Sequence, residues 1–229
     1  MTARCVFVTG GTGYMGAALI PALLGRGHRV TALVRPGSEG KLPAGCAAVT
    51  GNALDTATFA GHVAPADTLV HLVGVPHPGP WKGAQFEAVD WVSAQASVAA
   101  ARQAKVAHFV YLSVAHPAPS MRAYWQVRER GERLIAGAGL NATFLRPWYV
   151  LGPGHRWPYA LIPIYALLER LPPTRDSARR LGLVTLHQMV AALIAAVESP
   201  VEGQRVVEVP EIRGARAGGL PRLSTTSGL

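Results

Sequence analysis

The stretch Val6-Phe-Val-Thr-Gly-Gly-Thr-Gly-Tyr-Met-Gly16 limits what this chain can fold into more than any other. A run of β-formers (Cys5, Val6, Phe7, Val8) breaks into glycines at 10, 11, 13 and 16, and apolar residues then recur at helical spacing at Ala17, Leu19, Ile20, Leu23 and Leu24. This pattern predicts a strand, a tight turn and a helix. Glycine suits the turn because its first residues need dihedrals that side chains disfavour, and Gly16 lets helix and strand approach closely. Free N–H groups at the helix start suit an anion.

A second strand is expected at Arg29 to Val34, so the turn has a strand before it, a helix after it and a strand beyond. In that context it reads as a dinucleotide-binding fingerprint, whose bare backbone admits a pyrophosphate, rather than as a plain βα turn. The pattern Thr9-Gly-x-x-Gly13-x-x-Gly16 resembles the short-chain dehydrogenase/reductase superfamily, especially its extended and atypical branches, which are epimerase/dehydratase-like or nitrogen-regulator-like. The resemblance runs from about Arg4 to Pro210. It implies an α/β fold, a Rossmann-type doubly wound parallel sheet over residues 1–152. A small C-terminal helical segment on the substrate side, 153–212, is integrated with the same domain. Residues 213–229, rich in Gly, Arg, Ser and Thr, are expected to be a disordered tail.

With 229 residues the chain suits one α/β domain with a modest appendage. The net charge is +9, but three of those charges are Arg213, Arg216 and Arg222 and the rest are scattered. No basic helix, zinc spacing or basic-aromatic alternation points to nucleic acid, and the excess suits an anionic cofactor. Cys5 and Cys46 are expected to be small buried hydrophobes in a reducing compartment. The N-terminus has no signal-peptide pattern, and no run of about 18 apolar residues suggests a membrane span, so a cytoplasmic location is expected. The eight histidines show no metal-ligand spacing, and no metal site is expected. No Gly-x-Ser-x-Gly elbow supports a hydrolase.

Several stations along the chain fit the same cofactor. Gly10, Gly11, Thr12, Gly13, Tyr14, Met15 and Gly16 form the phosphate turn. The second strand ends at Arg35, where an acid would bond the adenosine ribose and repel a 2′-phosphate; arginine there favours NADP(H) over NAD(H). A third strand, Cys46 to Thr50, leads to Asn52 and Ala53, and Asn52 can offer adenine a donor and an acceptor. Asp55 is expected to cap a short helix through His62. A fourth strand, Thr68 to Val73, closes on Gly74, and the resemblance places Val73 and Gly74 beside the nicotinamide ribose.

Further along, Pro76 to Pro80 forms a stiff loop at the cleft mouth, and a long helix is expected from about Gly83 to Gln103. A fifth strand, Val106 to Ser113, places Ser113 at the sheet edge where ligands of such sheets lie. Next comes a helix over about Ser120 to Ala138, then a sixth strand, Asn141 to Arg146. Arg146-Pro-Trp-Tyr-Val-Leu-Gly152 resembles the family turn around the nicotinamide carboxamide, implicating Pro147, Trp148, Tyr149 and Val150. Trp157 to Leu171 reads as a pocket wall or lid. Thr185 to Gln188 is a capping box opening an amphipathic helix with Leu186, Met189, Val190, Leu193, Ile194 and Val197 on one face, and Arg205 to Val209 is expected to be a closing strand.

Reductases of this superfamily use a serine, a tyrosine and a lysine four residues after the tyrosine. The resemblance therefore assigns Ser113, Tyr124 and Arg128 as the catalytic set, all three also touching the cofactor. Tyr124 would exchange a proton with the substrate oxygen, Ser113 would steady the developing oxyanion, and Arg128 would favour a tyrosinate and bond the ribose. Arginine in place of lysine is the departure from the family pattern. The function implied is NADP(H)-dependent hydride transfer to or from a small, fairly apolar carbonyl or alcohol. The alternatives are a non-catalytic dinucleotide-binding protein, redox-sensing or structural, and an epimerase or dehydratase that retains NAD(P). The expected partner is a small-molecule substrate; oligomeric state is not legible.

Overall fold

The computed structural model of the chain describes residues 2–118, 120–153, 168, 170 and 175–215. Nine strands lie among them: β1 (Cys5–Thr9), β2 (Arg29–Val34), β3 (Ala47–Thr50), β4 (Thr68–His71), β5 (His108–Leu112), β6 (Ala142–Arg146), β7 (Tyr149–Leu151), β8 (Leu183–Thr185) and β9 (Gln204–Glu208). Seven pair in the order β3-β2-β1-β4-β5-β6-β9, every pairing parallel. The order reverses between β1 and β4, so this is a doubly wound sheet with its crevice at the C-terminal ends of those two strands. β7 and β8 form a separate parallel pair.

Alternation along the strands builds two cores. Val6, Val8, Val30, Ala32, Val70, Val110 and Leu145 face α1 (Tyr14–Gly25) and the C-terminal helices. Phe7, Leu33, Leu69, Phe109, Tyr111 and Phe144 face α2 (Val92–Ala104) and α3 (Arg122–Gly137). Successive residues of a strand point to opposite faces, so one apolar run feeds both layers.

The C-terminal half adds α4 (Arg175–Arg180), α5 (Leu186–Glu198) and α6 (Val209–Gly214). The capping box expected at Thr185 is present: Thr185 Oγ1 accepts from Gln188 N–H, and Gln188 Oε1 from Thr185 N–H. Whereas the sequence suggests one apolar face for α5, Ala191, Ala192, Ala195 and Ala196 are buried with that face. The helix is covered on more than one side, by α1 and α6 as well as by the sheet.

Four further expectations differ from the structure. The helix expected from Gly83 is not uniform: a turn at Gly83–Gln85 passes into a π-helical turn, Phe86–Trp91, before α2. Cys5 and Cys46 are half-buried free thiols rather than fully buried ones, Cys5 opening β1 and Cys46 lying just before β3. The tail does not begin at 213: Arg213 and Gly214 finish α6, and Arg213 Nε donates to Leu183 O at 2.8 Å. Asp55 caps only a 3₁₀ turn, Thr56–Thr58, by accepting from Ala57 N–H; a second such turn spans Ala60–His62. The wall or lid expected over Trp157 to Leu171 lies, apart from 168 and 170, outside the described residues, as does the chain beyond 215.

Candidate active site

The phosphate turn is shaped by two glycines in particular. Gly10 has φ +80° and lies so close to the corner after β4 that a Cβ would stand 2.9 Å from the Leu72 carbonyl carbon. At Gly16 a Cβ would collide with the carbonyl oxygens of Gly10 and Gly11, which no rotamer change relieves. Gly13 caps α1 without a side-chain acceptor, and no acid lies in the first turn, so the helix N-terminus presents N–H groups to whatever enters the crevice. Thr12 is half-buried on the turn. This cradle fits a dinucleotide pyrophosphate.

The residues expected to meet the adenosine lie further out. Arg35 follows β2 and is exposed. Glu39, the nearest acid, accepts from Thr50 Oγ1 at 2.9 Å at the edge of β3. Asn52 is exposed, but its Oδ1 already accepts from Leu54 N–H at 3.0 Å; Ala53 beside it is half-buried. The amide nitrogen of Asn52 and the second lone pair of its Oδ1 face no partner in that bond.

At the other end, a cavity of about 390 Å³ opens between the turn and the ends of β5 and β6. It gathers eight of the expected residues: Tyr14 and Met15 from α1, Ser113 after β5, Tyr124 from α3, and Pro147, Trp148, Tyr149 and Val150 after β6. Pro76, His77 and Pro78 from the stiff loop, with Leu112, Val114 and Met121, complete the lining. Gly152 brings the chain back beneath Tyr14, where a Cβ would collide with the phenol oxygen.

Tyr124 packs on Phe86 of the π turn, ring centroids 5.0 Å apart. Burial raises the pKa of its phenol; the Arg128 charge works the other way but does not offset it. The phenol is therefore protonated at neutral pH.

Arg128 shares a face with Tyr124 but does not line the cavity. Its guanidinium runs beneath the site, pairing with Asp90 Oδ1 at 2.6 Å and donating to Leu112 O at 2.8 Å and Val73 O at 3.2 Å. Its Cζ lies 5.5 Å from the centroid of the Tyr124 ring. Asp90, wholly buried on the π turn, also accepts from Val75 N–H. Gly74 has a reason that the sequence does not show: a Cβ there would collide with Arg128 Nη2, so its bare backbone is required from inside the protein.

Ser113 is held by its backbone, whose N–H donates to Leu145 O at 2.8 Å beyond the end of β5. Its hydroxyl meets Glu132 Oε1 at 2.5 Å. Glu132 in turn receives Arg146 in a two-pronged pair, Nε to Oε1 at 2.9 Å and Nη2 to Oε2 at 2.5 Å, with His116 Nε2 3.3 Å away. Burial pushes the Glu132 carboxyl up, but the hydrogen bonds from His116, Arg146 and Ser113 and the Arg146 charge outweigh it and hold the carboxyl below its usual range. Sequence reasoning does not find Glu132, because a glutamate on a helix among other charges reads as a solvent-facing residue. Its one signal is the spacing of four from Arg128 and eight from Tyr124, on the buried stripe of α3.

Beneath β1 and β4 a polar knot closes the far side. His71 Nδ1 lies 2.9 Å from both Thr9 Oγ1 and Ser97 Oγ, and its ring stacks on Tyr111. Burial, with Arg128 nearby, pushes its pKa down to about 3, so it is neutral. Among the described residues no group of three His, Cys, Asp or Glu is placed to hold a metal ion, and no helix is long and apolar enough to cross a membrane.

The doubly wound sheet, the glycine cradle at its switch point and the cavity beside it define a nucleotide-binding α/β protein. Residues 10–157 match a family described as NAD(P)H-binding, and the chain belongs to that family. It is 29% identical over 213 residues to a ceramide reductase of Caulobacter vibrioides, covering 91% of this chain and 65% of that protein. A Stigmatella aurantiaca 4-hydroxy-2-methyl-3-oxo-4-farnesyl-3,4-dihydroquinoline-1-oxide ketoreductase is 28% identical over 168 residues, covering 64% of this chain and 50% of the other. The chain thus spans between half and two thirds of the length of these two relatives. In fold it is similar to the Bordetella bronchiseptica enzyme WbmH in complex with NAD+, with a TM-score of 0.68 at 22% identity over 90% of this chain and 76% of that one. A UDP-galactose 4-epimerase gives 0.66 at 19%, over 91% and 80%.

Proposed function

We propose that the protein is an NADP(H)-dependent reductase of an apolar carbonyl compound, with Tyr124 as the proton donor. The observation that carries this reading is a protonated tyrosine on the wall of an apolar cavity, next to the expected nicotinamide corner. Two relatives named as reducing a ceramide and a farnesyl-bearing ketone support an apolar substrate. The half-buried free thiols Cys5 and Cys46 support a reducing compartment such as the cytoplasm.

Gly10 to Gly16 would hold the pyrophosphate, Arg35 a 2′-phosphate, Asn52 the adenine, and Pro147 to Val150 the nicotinamide side. When bound, the cofactor supplies the hydride. Tyr124 gives its proton to the carbonyl oxygen as that oxygen gains charge, and Arg128 below the ring favours the resulting phenolate through space. Arg128 acts as a fixed charge here; its two Nη groups face Asp90, Val73 O and Leu112 O rather than a ribose. The apolar lining keeps water from the reacting carbon.

The same commitment of Arg128 favours a second reading, a nucleotide-binding protein that performs no chemistry. Tyr124→Phe decides between them. With NADPH and a panel of apolar ketones, turnover should fall at least a hundredfold while NADPH affinity stays within about threefold. Turnover unchanged by the substitution would remove Tyr124 from the mechanism. NADPH binding without oxidation by any ketone would select the second reading.

A further inference from the structure

The direction of one hydrogen bond restricts what the cavity can recognise. Glu132 is clamped by Arg146 on both oxygens, and its side chain is 7% exposed, so it stands as a carboxylate. A carboxylate only accepts, and a serine hydroxyl has a single proton. At 2.5 Å the Ser113 hydroxyl is therefore the donor, and its proton is directed at Glu132. Ser113 lines the cavity, and with its proton committed to Glu132 its hydroxyl can act there only as an acceptor. It cannot then serve a carbonyl oxygen, which also only accepts; in that cavity Tyr124 is the donor for the carbonyl.

We infer that Glu132 sets Ser113 as an acceptor and that the substrate accordingly bears a hydroxyl or amide N–H beside the carbonyl that is reduced. The inference rests on the carbonyl-reductase reading and names the class of substrate within it. An α-hydroxy ketone satisfies both groups, its carbonyl taking the Tyr124 proton and its hydroxyl donating to Ser113 Oγ. A plain ketone leaves the Ser113 lone pair against an apolar wall, and a buried acceptor without a partner is costly. Glu132 is a positioning residue in this scheme, since it touches Ser113 and not the substrate. Its carboxylate character is fixed in turn by Arg146, from a different strand.

Two probes that differ by one hydroxyl test this: 5-hydroxyoctan-4-one and octan-4-one, titrated by calorimetry into the full chain loaded with NADP+. The wild-type protein should bind the hydroxy ketone about tenfold more tightly, the worth of one hydrogen bond to a buried group. Ser113→Ala should reduce that preference to near unity. Glu132→Gln, which frees the Ser113 proton from an obligatory acceptor, should shrink it as well, with NADP+ affinity and melting temperature as controls. Where Glu132→Gln does not fold, Ser113→Ala decides alone. Equal binding of the two probes by the wild-type protein would overturn the inference, as would a Ser113→Ala variant that keeps the preference but loses affinity for both. Binding of NADP+ with neither ketone would instead remove the carbonyl-substrate reading beneath it.

Discussion

Asp90→Asn removes one charge of a pair that is almost wholly out of water, the side chains of Asp90 and Arg128 being 0% and 5% exposed. Asparagine keeps an acceptor for Val75 N–H, so the substitution isolates the loss of charge. The guanidinium cannot shed its proton, and its bonds to Leu112 O and Val73 O only partly compensate. Breaking such a pair costs about 3–5 kcal/mol. For a domain of this size that lowers the melting temperature by roughly 10 °C. Arg128→Met strands the opposite charge and should cost a similar amount. The double variant removes both charges, and its cost should fall short of the sum by about 2 kcal/mol or more. Urea unfolding followed by circular dichroism, with the slope unchanged between variants, measures all three. Single costs below about 1 kcal/mol, or strict additivity in the double variant, would refute the view that these residues form one buried unit beneath Gly74.

Acid should destabilise the fold early. Burial pushes His71 down to about 3 and His108 to about 4, both below the ordinary histidine value, so the unfolded chain takes up these protons first. Stability is full above about pH 7 and falls below about pH 6.5, with about 4 kcal/mol lost between pH 7 and 5 for the two together; a urea midpoint that stays flat over that range would contradict this. Gly16→Ala drives a methyl into two backbone carbonyls and should cost about 1–3 kcal/mol and at least tenfold in NADPH affinity; unchanged affinity by fluorescence titration would count against the cradle. Arg35→Asp should lower NADPH affinity relative to NADH by tenfold or more, and an unaltered ratio would show that Arg35 does not meet a 2′-phosphate.

What the sequence made legible was the part governed by short-range rules. Alternating β-formers, the glycine turn and the Thr185 capping box each bring their reason within a few residues. The site proper depends on partners far apart in the chain. Asp90 meets Arg128, and Glu132 meets Ser113 and Arg146, only because α2, α3 and the strand ends converge. On the page of the sequence, Arg128 and Glu132 look like ordinary polar positions of an amphipathic helix. Burial reverses their meaning: the arginine becomes a fixed charge under the cavity floor, and the glutamate decides which way a hydroxyl points. The π turn that brings in Phe86 and Asp90 has no signal of its own, since its residues suit an α-helix equally well. Gly74 shows the limit from the other side, for a glycine expected beside the nicotinamide ribose also makes room for Arg128.

The separate pair of short strands has a consequence for how such a protein diversifies. Tyr149 pairs with Leu183 and Leu151 with Thr185, so the chain that joins them leaves one end of a short parallel pair and returns to the other. Beyond that pair, the capping box starts α5 in its groove and β9 closes the sheet beside β6. Both ends of the joining stretch are thus anchored in paired backbone. Closing a longer or shorter connection between such anchors changes stability only slowly with its length, so that length can vary while the seven-stranded sheet keeps its register.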